Sequence, residues 1–288
     1  MVRRTARRES MIHWPMKLQS WAWVASLLLP SLAFATETAP CGEVRVGLNT
    51  VAADTWFTST GSSPEGPLAD LARKALGEQG CRVVVQRMPL ARLLLDAEQG
   101  HVDVALVITA SKQRLQTLRF PETAEGDADT SWALGESRVS LFTLQSNEAK
   151  WRAKRRGSGD PGWTAVVQRG SVGEEIAQAA GWIRAYAPDA ERALAMLRLE
   201  RADVLIAPEW ALSPAALSAM PSVVALDPPL RVQGFYAPVS RAFWQREPER
   251  VKRLWQDLCR HAALLGKHAV PCPGLNRKAA GGRPSSPH

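Results

Sequence analysis

Arg114 is the residue of this chain with the clearest means of holding a small anion. It lies in the stretch 102–121, VDVALVITASKQRLQTLRFP. Residues 104–108 read as a buried strand with no charge after Asp103, which breaks at Thr109-Ala110-Ser111 into a short helical turn. A hydroxyl at the strand's carboxyl end, a Ser that caps the turn, free backbone N–H groups and a guanidinium three residues on form a site for a carboxylate. The planar five-donor fork of arginine matches that group geometrically. The bland alternative is a surface arginine on a short helix, a role that Arg119 fills equally well.

Other chemistries find less support. Cys259, His261, His268 and Cys272 are the residues from which a metal site would be assembled, but C-x-H is not a usual zinc spacing. All four cysteines, Cys41, Cys81, Cys259 and Cys272, follow an export-type leader, and an even count there favours disulfides. Of the three pairings, Cys41 with Cys81 and Cys259 with Cys272 are preferred, because Cys41 and Cys81 each precede an apolar strand and such starts are neighbours in a parallel sheet. Gly157 and Gly159, in the basic segment 150–161, lack the strand-loop-helix context of a phosphate loop. There is no Ser-His-Asp set and no metal-ligand helix. The expectation is no metal, no cofactor and no catalytic set.

The elements that must position Arg114 alternate. Residues 44–48 and 82–88 read as strands, with apolar helical spacing over 68–76 and again from Leu90, ending at Gly100. The order strand, loop, helix, strand, helix, strand is that of a parallel sheet with helices on its faces. The loop 50–67, with Trp56, Phe57 and several Gly and Pro, follows a strand's carboxyl end, where open α/β sheets bind ligands. Residues 137–144 read as an extended strand crossing into a second domain, and 150–161 as a surface loop. A strand at 165–168, the turn Arg169-Gly170-Ser171 and a helix over 172–180 follow. After short elements at 214–220 and 223–226, residues 235–240 cross back to a last helix, 248–265, whose Trp255 faces the core.

An internal echo supports two lobes. Arg92 and Asp103 are eleven residues apart, as are Arg192 and Asp203, and in each copy a helix and a tight turn lead to the Asp and a buried strand follows it. The 288-residue length suits about two domains. Two lobes imply a cleft.

Composition is that of an ordinary globular chain, with 45% hydrophobic and 22% charged residues and a net charge of +8. Residues 1–35 have the form of a secretory signal: Arg3, Arg4, Arg7, Arg8 and Lys17, an apolar run over 21–34, and an A-x-A end at Ala33-Phe34-Ala35. Removing its five basic residues and Glu9 leaves +4, with part of the excess in a tail that reads as disordered, so no nucleic-acid partner is expected. No second apolar run is long enough to span a membrane.

These segments together resemble the periplasmic solute-binding proteins of ABC importers, in particular the polar-amino-acid-binding family. Ile108 to Arg114, followed by Phe120-Pro121, is similar to the family's hydroxyl-x-T-x-x-R…F-S-x-P segment. Gly100-His101-Val102-Asp103 resembles its G-x-x-D turn, Val167-Gln168-Arg169-Gly170-Ser171 its V-x-x-G-[ST] turn, and Asp203 to Glu209 its D-x-x-x-x-D/E segment. The resemblance implies a type II, two-lobed α/β fold, each lobe a mostly parallel sheet flanked by helices. Lobe 1 would be 36–137 plus 237–272, lobe 2 138–236, and the tail 273–288. It also implies that Arg114 pairs a solute's carboxylate, with Thr109 and the backbone of Gly170 and Ser171 completing the site. Trp56 or Phe57 would pack on the solute or in the core, and Arg92 would add a cation or only pair with Asp96. Where the family places an aspartate for the α-amino group stands Pro208, with Glu209 one position on; either the register slips or the amine is not read. The implied function is delivery of a small carboxylate to ABC transporter membrane subunits by a periplasmic monomer. A dehydratase similar to cyclohexadienyl dehydratases, with Glu209 buried beside Trp210 as general acid, and a stand-alone sensor subunit are the alternatives.

Overall fold

The computed structural model describes residues 41–50, 66–154, 162–264 and 272–273. The expected leader, Trp56, Phe57 and residues 274–288 lie outside the described residues.

The first sheet starts at Glu43–Asn49 (β1), where Val44, Val46 and Leu48 are buried. Pro67 opens Pro67–Gly77 (α1), a position where its missing N–H costs nothing. The helix buries Leu68, Leu71, Ala72, Ala75 and Leu76 on one stripe. Arg82–Met88 (β2) runs parallel to β1 with Glu43 opposite Arg82, so the strand starts adjoin and the Cys41–Cys81 disulfide joins them. Leu90–Glu98 (α2) packs Leu93 and Ala97 inward and leads to Val104–Leu106 (β3), parallel to β1 on its other side.

At Val107 the chain leaves this sheet. Val107 has φ of 63°, a left-handed conformation that a β-branched residue adopts only under strain, at a cost of order 1–3 kcal/mol. The next two residues, Ile108–Thr109 (β4), pair with the second sheet. The strand read as continuous over 104–108 is therefore two strands in different sheets. Lys112–Thr117 (α3) and Leu118–Arg119 (β5) follow.

The second sheet contains Gly135–Leu144 (β6), Thr164–Val167 (β7), Ile183–Tyr186 (β8), Val204–Pro208 (β9) and Val223–Tyr236 (β10). Its helices are Glu148–Lys154 (α4), Val172–Ala179 (α5), Ala190–Arg198 (α6) and Pro214–Ser218 (α7). The chain returns to the first sheet through Val239–Ser240 (β11) and ends in Arg241–Arg246 (α8) and Pro248–Leu264 (α9). Strand order is β2-β1-β3-β11-β5 in one sheet and β4-β10-β6-β9-β7-β8 in the other. Each has a parallel half built from strand-helix-strand units, and the crossing strands add antiparallel pairings. Both sheets are thus mixed.

Two further local readings change, and one strand was not anticipated. The segment expected as a loop from residue 150 begins inside α4. Residues 223–226 and 235–236 belong to one long strand, β10, whose register shifts between Leu226 and Arg231 around Asp227-Pro228-Pro229. The breakers interrupt the pairing without ending the strand. β8 is an exposed edge strand with little apolar pattern to announce it.

The echo is structural. Asp103 accepts from the Arg45 N–H (2.8 Å) and its own N–H donates to the Arg45 carbonyl (2.8 Å). Asp203 does the same with Thr164 (2.9 and 2.8 Å). Each Asp ties the start of a buried strand to its parallel neighbour. Asp103 also meets the Arg45 and Arg246 guanidiniums. On α9, Val251, Leu254, Trp255 and Leu258 join the core of the first sheet, and Trp255 Nε1 donates to the Ala237 carbonyl (2.7 Å). The Cys259–Cys272 disulfide closes the chain end. Among the described residues no helix is long and apolar enough to cross a membrane.

Candidate functional site

Two strand-to-helix turns, one after β4 and one after β7, face each other. In the first, Ser111 caps α3 by accepting from the Arg114 N–H (3.4 Å), which fixes Arg114 in the first turn. The side chain is only 6% exposed. Nη1 donates to both the carbonyl and the hydroxyl of Thr109 (2.7 Å each), and Nη2 donates to the Gly170 carbonyl of the opposite turn (2.7 Å). Three of its five N–H groups are so used, and among the described residues none reaches a carboxylate. Burial pulls its pKa below the usual arginine value, with Glu175 opposing and Arg231 reinforcing the shift. A buried guanidinium without a counter-ion is unfavourable for the free protein and favourable for an incoming anion.

The second turn differs from expectation. Gly170 has φ of 76°. Its N–H donates to the Glu174 carboxylate (2.6 Å), while Ser171 Oγ accepts from the Glu174 N–H (3.2 Å) and the Ser171 N–H donates to the Gln168 carbonyl (3.1 Å). This reciprocal cap of α5 spends the amides that were expected to bind the anion. Gly170 contributes its carbonyl, to Arg114, and Ser171 remains as a wall residue. Farther along α5, Gly173 lets the helix approach β9, where an added Cβ would stand 2.6 Å from the Ile206 carbonyl oxygen.

Between the turns lies a cleft of about 760 Å³, mouth included. Asn49 and Leu90 line it from the elements of the first sheet, Thr109, Pro208 and Gln233 from strands of the second, and Arg114, Gln168, Ser171 and Trp210 from the segments that follow strands. It extends under α6 along Ala187, Ala190, Ala193, Leu205 and Leu212, so most of its wall is apolar. Asn49 and Gln168 exchange amide hydrogen bonds across it (3.4 and 3.2 Å). These polar ends of parallel strands stand where such sheets bind ligands, a positional signal that points to both.

Not every expected residue is here. Arg92 is largely exposed and pairs with Asp96 (2.7 Å), the simpler of its two expected roles. Glu209 lies off the cleft wall: Ser140 Oγ donates to it (2.7 Å) and Arg138 Nε donates to it (3.2 Å), and its side chain is 38% exposed. The short 3₁₀ turn Glu209–Ala211 after β9 swings it toward β6, so it is not the buried acid expected beside Trp210. The wall carries Asp189 instead, which caps α6 by accepting from the Arg192 N–H (2.8 Å) and pairs with the Arg192 guanidinium. Gln233, midway along β10, was not singled out by any sequence pattern.

No protein-family model matches this sequence, and no curated protein matches it. Solved structures do. The substrate-binding protein AbpA of an amino acid ABC transporter from Streptococcus pneumoniae, bound to L-arginine, is similar with a TM-score of 0.59 at 15% identity, over 78% of this chain and 91% of that one. The fold is that of the periplasmic binding proteins. A histidine kinase sensor domain with similarity to periplasmic binding proteins matches with a TM-score of 0.59 at 16% identity, over 79% of this chain and 96% of the other. AncCDT-1, an ancestral amino acid-binding protein and precursor of cyclohexadienyl dehydratase, matches with a TM-score of 0.58 at 15% identity, over 79% and 92%. In this periplasmic-binding-protein fold the chain passes between the sheets at Val107, between β4 and β5, between β5 and β6, and at residues 237–238.

Proposed function

We propose that this protein binds a small carboxylate-bearing solute in the cleft and presents it, without chemical change, to the membrane subunits of an ABC-type importer. The observation that carries the reading is Arg114: a buried guanidinium on the cleft wall, oriented by Thr109, touching the opposite turn through Gly170 and lacking a carboxylate among the described residues. A solute carboxylate supplies the missing charge and joins both sides, which couples binding to closure. The signal-like segment 1–35 and the paired cysteines support a periplasmic setting.

A dehydratase needs an acid in the cleft. Glu209 is engaged with Arg138 and Ser140, and Asp189 is committed to a helix cap, which favours binding over catalysis. Transport and sensing share the same site chemistry, and the partner captured from membranes by the loaded protein distinguishes them.

The test is a thermal-shift screen of amino acids and organic acids, each beside its neutral amide. At 100 times Kd a bound solute stabilises by about 2.7 kcal/mol, so a carboxylate that binds raises the melting temperature while its amide does not. Equal shifts from acid and amide, or no shift from any acid, contradict the reading.

A further inference from the structure

The polar inventory of the cleft narrows the solute further. Gln233 Nε2 is buried and has no hydrogen-bond partner among the described residues, and the residue lines the same cleft as Arg114. In β10 it lies two residues before Phe235, which pairs with Thr109, so alternation puts Gln233 and Thr109 on one face of the second sheet. An unsatisfied buried donor costs free energy that an acceptor on a ligand recovers. With the two uncommitted N–H groups of Arg114, the cleft presents hydrogen-bond donors.

Its side-chain acceptors other than the Gln233 carboxamide oxygen already take part in hydrogen bonds. Asp189 is held by Arg192, Thr109 Oγ1 accepts from Arg114, Ser171 Oγ accepts from the Glu174 N–H, and Asn49 and Gln168 bond each other. Pro208 has no polar side chain. An ammonium entering this cleft exchanges its water shell for a site in which no described wall side chain offers a free carboxylate, and Arg114 is already a buried cation there. The remaining wall is aliphatic apart from Trp210.

We propose that the solute is a 2-oxo acid with an apolar carbon body, its carboxylate on Arg114 and its keto oxygen accepting from Gln233 Nε2. This rests on the carboxylate reading above and adds the second polar group and the residue that reads it. Gln233 is thereby the specificity-determining residue of the cleft.

Three probes of one carbon skeleton separate the possibilities: 4-methyl-2-oxopentanoate, L-leucine and 4-methylpentanoate, titrated calorimetrically into the full chain, with Gln233→Leu and Arg114→Ala beside wild type. The expected result is that the oxo acid binds at least about tenfold more tightly than the other two, since a buried donor left unpaired is what discriminates analogues. Gln233→Leu, checked by its melting temperature, should bring the oxo acid down to the level of the unsubstituted acid and leave the latter unchanged. Arg114→Ala should abolish both. If leucine binds tightest and depends on Arg114, the 2-oxo proposal falls while the carboxylate reading stands. If Gln233→Leu keeps the oxo-acid preference, the assignment to Gln233 is overturned. If none of the three binds, the 2-oxo proposal is overturned, and the acid-versus-amide screen separately decides the carboxylate reading.

Discussion

Gly170→Ala separates the fold of the second turn from the meeting of the two turns. The substitution carries two costs of different kinds. A φ of 76° places an L side chain in the left-handed region, which costs about 1–2 kcal/mol and is set by the turn itself, whatever the first lobe does. The new Cβ would also stand 3.2 Å from Ala91 Cα and 3.4 Å from Ala91 Cβ, against the first turn of α2, so that one of the two turns must shift by a few tenths of an ångström. That second cost exists only when the turns are together, and overpacking of this kind runs to about 1–3 kcal/mol. The first cost lowers the melting temperature by roughly 2–8 °C for a domain of this size. The second weakens solute binding by roughly 5- to 150-fold, because the closed arrangement that holds the solute is penalised and the open one is not. Thermal melts of the free protein measure the first and titration calorimetry the second. A variant that melts lower yet binds with unchanged affinity refutes the claim that this contact belongs to the ligand-binding arrangement.

Further outcomes follow from the same geometry. Glu209→Gln should change solute affinity less than twofold, since Glu209 bonds Ser140 and Arg138 away from the cleft wall; a tenfold loss by calorimetry returns it to the site. Replacing Cys259 and Cys272 together by Ser should cost about 3 kcal/mol in denaturant unfolding, from the 13-residue separation of the bridge and the chain-entropy model; no change in midpoint counts against that estimate. Asp103→Ala should destabilise by about 1–3 kcal/mol in denaturant unfolding, because it leaves the Arg45 N–H without its acceptor while the Arg45 and Arg246 guanidiniums stay partly exposed to water, and should leave the affinity of the folded fraction intact.

Much of this architecture is written in residue order. The Asp103 and Asp203 echo, the apolar helix stripes and the placement of Cys41 and Cys81 before paired strands all report local patterns that the fold repeats. Arg114 is legible for the same reason, since a strand end, a capping Ser and an arginine lie within six residues. Gly170 shows where reading by type goes astray: its amide looked available, yet the Ser171 to Glu174 spacing already spells a capping box that consumes it. Glu209 was misplaced because a 3₁₀ turn after Pro208 and a cation on the adjacent strand, Arg138, decide its direction, and neither is a local property. Gln233 is invisible for a similar reason. A polar residue in an alternating strand normally faces water, and only the pairing of β10 with β4 turns this one to the cleft.

The most direct measurement compares wild type with Arg114→Gln in calorimetric titration against a carboxylate that stabilises the protein and against its primary amide. Truncating one partner of a buried charge pair costs about 2–5 kcal/mol, so the carboxylate should bind the variant roughly 30- to several-thousand-fold more weakly, and wild type should prefer the acid to the amide by a comparable margin. Affinity for the carboxylate that survives Arg114→Gln within twofold, or a wild type that binds acid and amide alike, contradicts the assignment of Arg114 as the carboxylate's partner.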